Sequence, residues 1–162
     1  MNQKPFRIKM VCLAGLFCLL GLLLLIPLLI WLPAFAEMIA HDAPEFAYLQ
    51  WPCTWFVWAT ALPFYWALFE ALRICFRVWK GQSFSERNAR SFTAIGICAW
   101  LDAGAYVVFL MVLGNLGAGS PAFSILILAV ILFGITVGLA AGVVSQLLRR
   151  ALALQTEAEL TV

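Results

Sequence analysis

The sequence predicts an all-α integral membrane protein, a four-helix bundle with both ends of the chain on the cytoplasmic side. Apolar residues make up 65% of the 162 residues and charged residues only 11%, whereas soluble domains carry about 25% charged residues. Four long apolar stretches are present, and a membrane span needs about 20 mostly apolar residues. The Lys and Arg residues all lie in segments on one predicted side of the membrane.

Four spans and their short connections account for residues 1–162 as a single membrane domain. Pro27 lies inside the first apolar run and should bend that helix, because proline removes a backbone hydrogen bond. The basic start followed by Ala34-Phe35-Ala36 also resembles a cleaved signal peptide, but the apolar run is longer than the ~7–15 residues of such a peptide. We place the spans at about 10–33, 51–72, 92–116 and 124–148, with a cytoplasmic loop at 73–91.

The distribution of basic residues sets the predicted orientation. All ten Lys and Arg residues lie before residue 10, between 73 and 90, or at 149–150. The loop 34–50 contains no Lys or Arg, and the loop 115–121 contains no charged residue. Short loops rich in Lys and Arg stay in the cytoplasm. Four spans with cytoplasmic N- and C-termini therefore satisfy every connecting segment.

The loop before the third span carries a short motif, and the chain ends in a second one. The two segments are Gly81-Gln82-Ser83-Phe84-Ser85-Glu86-Arg87-Asn88, followed by Ile95-Gly96, and Glu157-Ala158-Glu159-Leu160-Thr161-Val162. They resemble the G-x-x-F-[ST]-x-x-N…I-G motif and the acidic-Leu-Thr-Val ending of a bacterial membrane family known as domain of unknown function 2975. The length and the four-span layout also fit, although the second span is richer in Trp than expected for the family.

The resemblance implies a limited set of properties. The family is not characterised as an enzyme and offers no agreed active site to transfer to this chain. Its members are often encoded beside a small helix-turn-helix regulator of the Cro/repressor kind. The resemblance therefore implies a sensing or signalling partner of such a regulator.

Asp102 is the first candidate site residue. It lies ten residues after Phe92, about 15 Å along a helix that rises ~1.5 Å per residue, and hence near the middle of a ~30 Å hydrocarbon core. An acid there costs about 2.5–3.5 kcal/mol, so we expect it to face the bundle with Tyr106, one turn later. It is either a protonation or ligand-binding site, or a neutral acid in an interhelical hydrogen bond. Candidate partners for that bond are Thr60, Tyr65 and Thr136.

Charged residues at the cytoplasmic end of the second span form a second candidate site. Glu70 and Arg73 are three residues apart and can pair on one helix face. One interpretation is an ordinary ion pair at the helix end. The other is a binding pocket on the cytoplasmic side that also includes Arg77.

The motif that opens the third helix admits a structural and a docking role. Ser83 or Ser85 can cap the helix, and Asn88 can bond a neighbouring loop or the end of the second helix. Alternatively, Arg87, Asn88 and Arg90 form a basic surface that docks a cytoplasmic partner or anionic lipid headgroups.

The fourth span carries a glycine every four residues. Gly134, Gly138 and Gly142 lie on one helix face, and small residues at this spacing let helix backbones approach closely in membranes. The stripe is either an internal packing surface or the seam of a homodimer.

The sequence disfavours several kinds of chemistry. Five cysteines occur without a C-x-x-C pair, and only Cys53 lies near the oxidising outer face that a thiol oxidoreductase needs. His41 is the one histidine, which disfavours a histidine-based zinc or haem site. No phosphate-binding Gly-rich loop, catalytic cluster or basic domain is present. We therefore predict no catalytic residue, metal site or cofactor, and no direct binding of nucleic acid.

Together these features predict a non-enzymatic, multi-pass protein of the bacterial inner membrane whose partner is the lipid bilayer. Its leading predicted function is to sense a membrane-borne or periplasmic signal and pass it to a cytoplasmic helix-turn-helix regulator. A homodimer is compatible with this role. The alternative is a small oligomeric transporter or channel subunit that uses Asp102 as a proton or cation site.

Overall fold

The described elements of the chain are all helices, as the sequence predicts. The computed structural model describes residues 4–42, 44–81, 85–118 and 121–160. In chain order the elements are α1 (Lys4–Asp42), a short 3-10 helix (Pro44–Leu49), α2 (Gln50–Trp79), α3 (Glu86–Asn115) and α4 (Pro121–Leu160).

Among the described residues, two helices are long and apolar enough to cross a membrane. They are the segments Glu86–Asn115 of α3 and Phe123–Glu157 of α4, with mean hydropathy 2.0 and 2.7. α1 qualifies only if its two arms, Ala14–Pro27 and Leu29–Met38, count as one span. The arms are bent by 43°, so the predicted bend at Pro27 is confirmed. α2 does not qualify, because its Trp, Tyr, Pro and charged residues are less apolar than the Leu, Ile and Val of α3 and α4.

The helices lie in an open row that follows the order of the sequence. α1 packs against α2, α2 against α3, and α3, most extensively, against α4. In the ranges given above, α4 packs against neither α1 nor α2, and α1 does not reach α3. The compact bundle that the sequence predicted is therefore not formed within one chain. Lipid is as apolar as the outer faces of α1 and α4, so no hydrophobic force closes the row.

The contact between α1 and α2 satisfies a carbonyl group that proline leaves without a partner. Pro33 lies inside α1 and has no N–H to donate to the carbonyl oxygen of Leu29, four residues earlier. The indole Nε1 of Trp58 on α2 donates to that oxygen at 3.2 Å. Because hydrocarbon offers no hydrogen-bond donor, this bond gives Trp58 a specific place against α1.

Small residues allow α3 and α4 to approach closely. A Cβ atom added to Gly134 would lie 3.3 Å from the carbonyl oxygen of Ala99, and one added to Gly138 would lie 2.9 Å from Nε1 of Trp100. These two glycines of the stripe thus face α3 of the same chain. A Cβ atom added to Gly142 would have no neighbour within 4 Å in the described part of the chain.

Gly134→Leu should separate α3 from α4. A leucine would overlap the backbone of α3, and such overpacking costs about 1–3 kcal/mol. Gly104→Leu is the matched control, since a Cβ atom at Gly104 meets no described atom within 4 Å. Chemical unfolding of the detergent-solubilised variants measures both effects. Equal losses of unfolding free energy in the two variants would contradict the close packing at Gly134.

Candidate functional site

A cleft opens between the end of α2 and the start of α3. Its volume is about 300 Å³. The lining side chains recur every three or four residues along α2 and lie within two turns on one side of α3, so each helix contributes one face. We call this feature the arginine cleft. It is lined by Trp66, Glu70, Arg73 and Arg77 of α2 and by Arg87, Arg90, Ser91 and Ala94 of α3.

A side-chain cap begins α3 at the edge of the arginine cleft. Ser85 precedes the helix with an extended backbone, and its Oγ atom accepts a hydrogen bond from the backbone N–H of Asn88 at 3.3 Å. This bond satisfies a donor that a helix start otherwise leaves without a partner. Ser85 is therefore the cap among the two serines that the sequence offered, and Ser83 lies outside the described residues.

Arg77 connects α2 to the first turns of α3. Its Nη1 atom donates to Oγ of Ser91 at 2.9 Å, to the carbonyl oxygen of Arg87 at 3.3 Å and to Oδ1 of Asn88 at 3.4 Å. The side chain of Asn88 is buried, with 1% of the residue exposed. Asn88 therefore contributes to the contact between α2 and α3 rather than to an exposed docking surface.

Hydroxyl groups attach α4 to the same end of α3. Oγ of Ser145 donates to the carbonyl oxygen of Ala89 at 2.9 Å and lies 2.8 Å from Oγ1 of Thr93. Ala89 and Ser145 are buried, and buried polar groups need hydrogen-bond partners to be tolerated. α2, α3 and α4 are thus held together beside the cleft.

The one carboxylate among the described residues that line the cleft is already paired. Oε1 of Glu70 accepts a hydrogen bond from Nη1 of Arg73 at 2.9 Å. The Glu70 side chain is buried, whereas that of Arg73 is half exposed. The two interpretations of Glu70, Arg73 and Arg77 thus coexist in the structure: an ion pair forms, and all three residues line one cavity.

The cleft carries an excess of positive charge, with four guanidinium groups against the single carboxylate of Glu70. Arg90 also contacts Glu86 at 2.8 Å, but both side chains are exposed, so water weakens this pair. Within the described residues, neither Arg77 nor Arg87 forms an ion pair. The cleft is therefore suited to an anion.

Asp102 lies on α3 outside the arginine cleft, and its side chain is half buried. The two threonines that were predicted to bond Asp102 form hydrogen bonds with other groups. The Thr60 hydroxyl donates within its own helix, where two carbonyl oxygens lie in range, and lies 3.3 Å from the hydroxyl of Tyr106, while Thr136 donates to a carbonyl one turn earlier at 2.8 Å. Threonine hydroxyls in helices commonly bond in this way. No hydrogen bond joins Asp102 to Thr60, Tyr65 or Thr136, all of which are described.

Tyr106 belongs to an aromatic contact between α2 and α3. Its ring lies edge-on to Phe56, with 5.2 Å between the centroids, and Phe56 stacks on Phe109 at 4.1 Å. Phe56, the member of this contact on α2, lies about 20 residues before Arg77, which corresponds to ~30 Å at 1.5 Å per residue. The structure therefore does not bring Tyr106 to the arginine cleft.

Sequence reasoning identified five residues of the cleft but missed Trp66, Ser91 and Ala94. A spacing signal for all three was present. Trp66 precedes Glu70 by four residues, Ser91 follows Arg87 by four, and Ala94 follows Arg90 by four, so each extends a helix face that was already recognised. The spacing could not show that Ser91 accepts a hydrogen bond from Arg77, because that bond joins two helices.

Comparisons with known proteins place the chain among membrane proteins. A family model described as "Protein of unknown function (DUF2975)" matches residues 34–162. The chain is also 28% identical over 124 residues to "Uncharacterized membrane protein YoaS" of Bacillus subtilis (strain 168), across 74% of this chain and 76% of that protein. No solved structure matches the chain.

Arg77→Gln should loosen the contact between α2 and α3. The change removes the guanidinium that donates to Ser91 and to the buried Asn88, and loss of such a partner costs about 1–3 kcal/mol. Arg90→Gln is the matched control and should leave stability unchanged, because the Arg90 side chain is exposed. Thermal or chemical unfolding in detergent checks the pair. Equal stability of the two variants would show that Arg77 does not hold the helices together.

Proposed function

The chain belongs to the family described as "Protein of unknown function (DUF2975)", and from this membership and the structure we propose that it is a non-enzymatic signalling protein of the bacterial inner membrane. In this proposal it passes a signal to a cytoplasmic helix-turn-helix regulator. The gene neighbourhood that the family resemblance implies supports a regulator of that kind.

The proposed topology has four spans, with both termini in the cytoplasm. α2 contacts both α1 and α3 near each of its ends. It therefore lies at the same depth in the membrane as these two proposed spans, which supports a span for α2 as well. Near its start, Trp58 bonds α1 and Phe56 stacks on α3. Near its end, Arg77 bonds α3 and Cys75 lies beside Gly15 of α1. The clustering of Lys and Arg supports the proposed orientation.

Cysteine labelling tests this topology. In a cysteine-free background, Glu45→Cys should react with a membrane-impermeant maleimide added to intact cells, because its loop is predicted to lie outside. Lys80→Cys should react only after the membrane is opened. The native side chains of Glu45 and Lys80 are both exposed, so a difference in labelling reports the side of the membrane rather than burial in the protein. Labelling of Lys80→Cys in intact cells would rule out the proposed orientation.

The projecting end of α4 is the observation that carries the proposed function. α4 has 40 residues, which corresponds to ~60 Å of helix, whereas the hydrocarbon core is ~30 Å thick. The helix continues to Leu160, beyond Arg149 and Arg150. Leu154 on this extension is 67% exposed. An exposed apolar residue on a helix beyond the basic cluster supports a docking site for a cytoplasmic protein.

Site-specific photocrosslinking tests this role. A photoreactive residue at position 154 should crosslink a helix-turn-helix protein in living cells, and deletion of the chain should change transcription of that regulator's targets. Position 132, where Leu is also exposed but lies in the middle of α4, is the matched control and should capture no such protein. An unchanged transcriptome, together with no DNA-binding protein captured at position 154, would refute the proposal.

A small transporter or channel subunit ranks second. Asp102 supports it, since a half-buried acid in an apolar helix is costly and usually functional. The row of helices encloses no pathway within the described part of one chain. This role therefore requires several copies.

A further inference from the structure

We propose that the arginine cleft binds a phosphate group, carried either by an anionic phospholipid or by a soluble phosphate compound. This inference goes beyond the proposed function and does not depend on a regulator. It rests on the geometry of one cavity at the junction of α2 and α3.

The charges of the cleft select an anion. Four arginines line it, and its one carboxylate, on Glu70, is neutralised by Arg73 at 2.9 Å. Arg87 has no ion-pair partner among the described residues. Arg90 pairs with Glu86 at 2.8 Å, where both side chains are exposed. The charge that an anion meets uncompensated in the described part of the cleft is therefore that of Arg77 and Arg87.

Arg77 is oriented before any ligand binds. Within the described residues, its Nη1 atom makes all of the side-chain hydrogen bonds, to Ser91, Asn88 and Arg87. Its Nε and Nη2 atoms donate to no described residue. A guanidinium with a fixed position and one open edge is suited to the bidentate binding of phosphate.

The start of α3 adds a favourable dipole. Arg87, Arg90 and Ser91 lie in the first two turns of this helix, and the N-terminus of a helix carries partial positive charge. This partial charge adds to the charge of the four arginine side chains that line the cleft, and both attract an anion.

The apolar wall favours a lipid as the source of the phosphate. Trp66 and Ala94 line the end of the cleft furthest along the helices from the basic loop, and Trp66 is 56% exposed. Tryptophan is enriched at the level of lipid headgroups. The volume of about 300 Å³ lies at the lower end of the range for small-molecule sites, ~300–1,000 Å³, which suits a group as small as a phosphodiester.

Lipid titration of the purified full chain tests the proposal. The chain, solubilised in a non-ionic detergent, is titrated with phosphatidylglycerol, with diacylglycerol, which has the same acyl chains but no phosphate, or with inorganic phosphate, and bound lipid is counted by native mass spectrometry. The double variant Arg87→Gln/Arg90→Gln should bind phosphatidylglycerol about tenfold more weakly, since charge-assisted bonds are lost. The matched control Arg149→Gln/Arg150→Gln, which removes equal charge from α4 outside the cleft, should change the affinity less than about twofold.

Each outcome decides for or against the phosphate site. Displacement of phosphatidylglycerol by millimolar inorganic phosphate supports a soluble source, and selective binding that phosphate does not displace supports a lipid. Equal losses in the two double variants, or equal affinity for diacylglycerol, overturn the proposal. Arg87→Gln alone provides a second test if the double variant is unstable. Because the purified sample contains no regulator, failure here leaves the proposed function untouched.

Discussion

The structure depends on one constraint, that a polar group inside hydrocarbon must find its partner within the protein. Pro33 leaves the carbonyl of Leu29 without its helical donor, and the indole of Trp58 replaces that donor from the next helix. The same requirement holds where protein excludes water: on α4, the buried Ser145 bonds the backbone of α3 through the buried Ala89. Hydrogen bonds of this kind specify which helices are neighbours, because apolar surfaces alone do not distinguish a helix from lipid.

The same constraint accounts for the open row of helices. Neighbouring helices are joined by directional bonds or by close contacts between small residues, as at Gly134 and Gly138. The outer faces of α1 and α4 carry exposed apolar residues, such as Ile30 on α1 and Ile125 on α4. Lipid can cover such faces as well as protein can. A single chain therefore has no reason to close into a bundle, and any function that needs an enclosed pathway needs more than one chain.

The arginine residues of α2 and α3 show the opposite behaviour and lie together where α2 ends and α3 begins. Arg77 serves both parts of the structure, because it fixes the start of α3 through Ser91 and Asn88 and also lines the arginine cleft. A residue that lines a cavity and also bonds two helices to each other couples ligand binding in the cavity to the contact between those helices. A ligand in the cleft would thus act on the contact between α2 and α3, next to the bonds that attach α4.

The sequence by itself determined the helices, the bend at Pro27, the apolar character of α3 and α4 and the segregation of basic residues, because these follow from composition and from the period of 3.6 residues. That period also placed Glu70, Arg73 and Arg77 on one face. Only the tertiary structure decided that the row stays open, that the cleft includes Ser91, and that Asp102 has none of its expected partners. Periodicity tells which face a side chain occupies, but which helix meets that face depends on contacts between residues far apart in the chain.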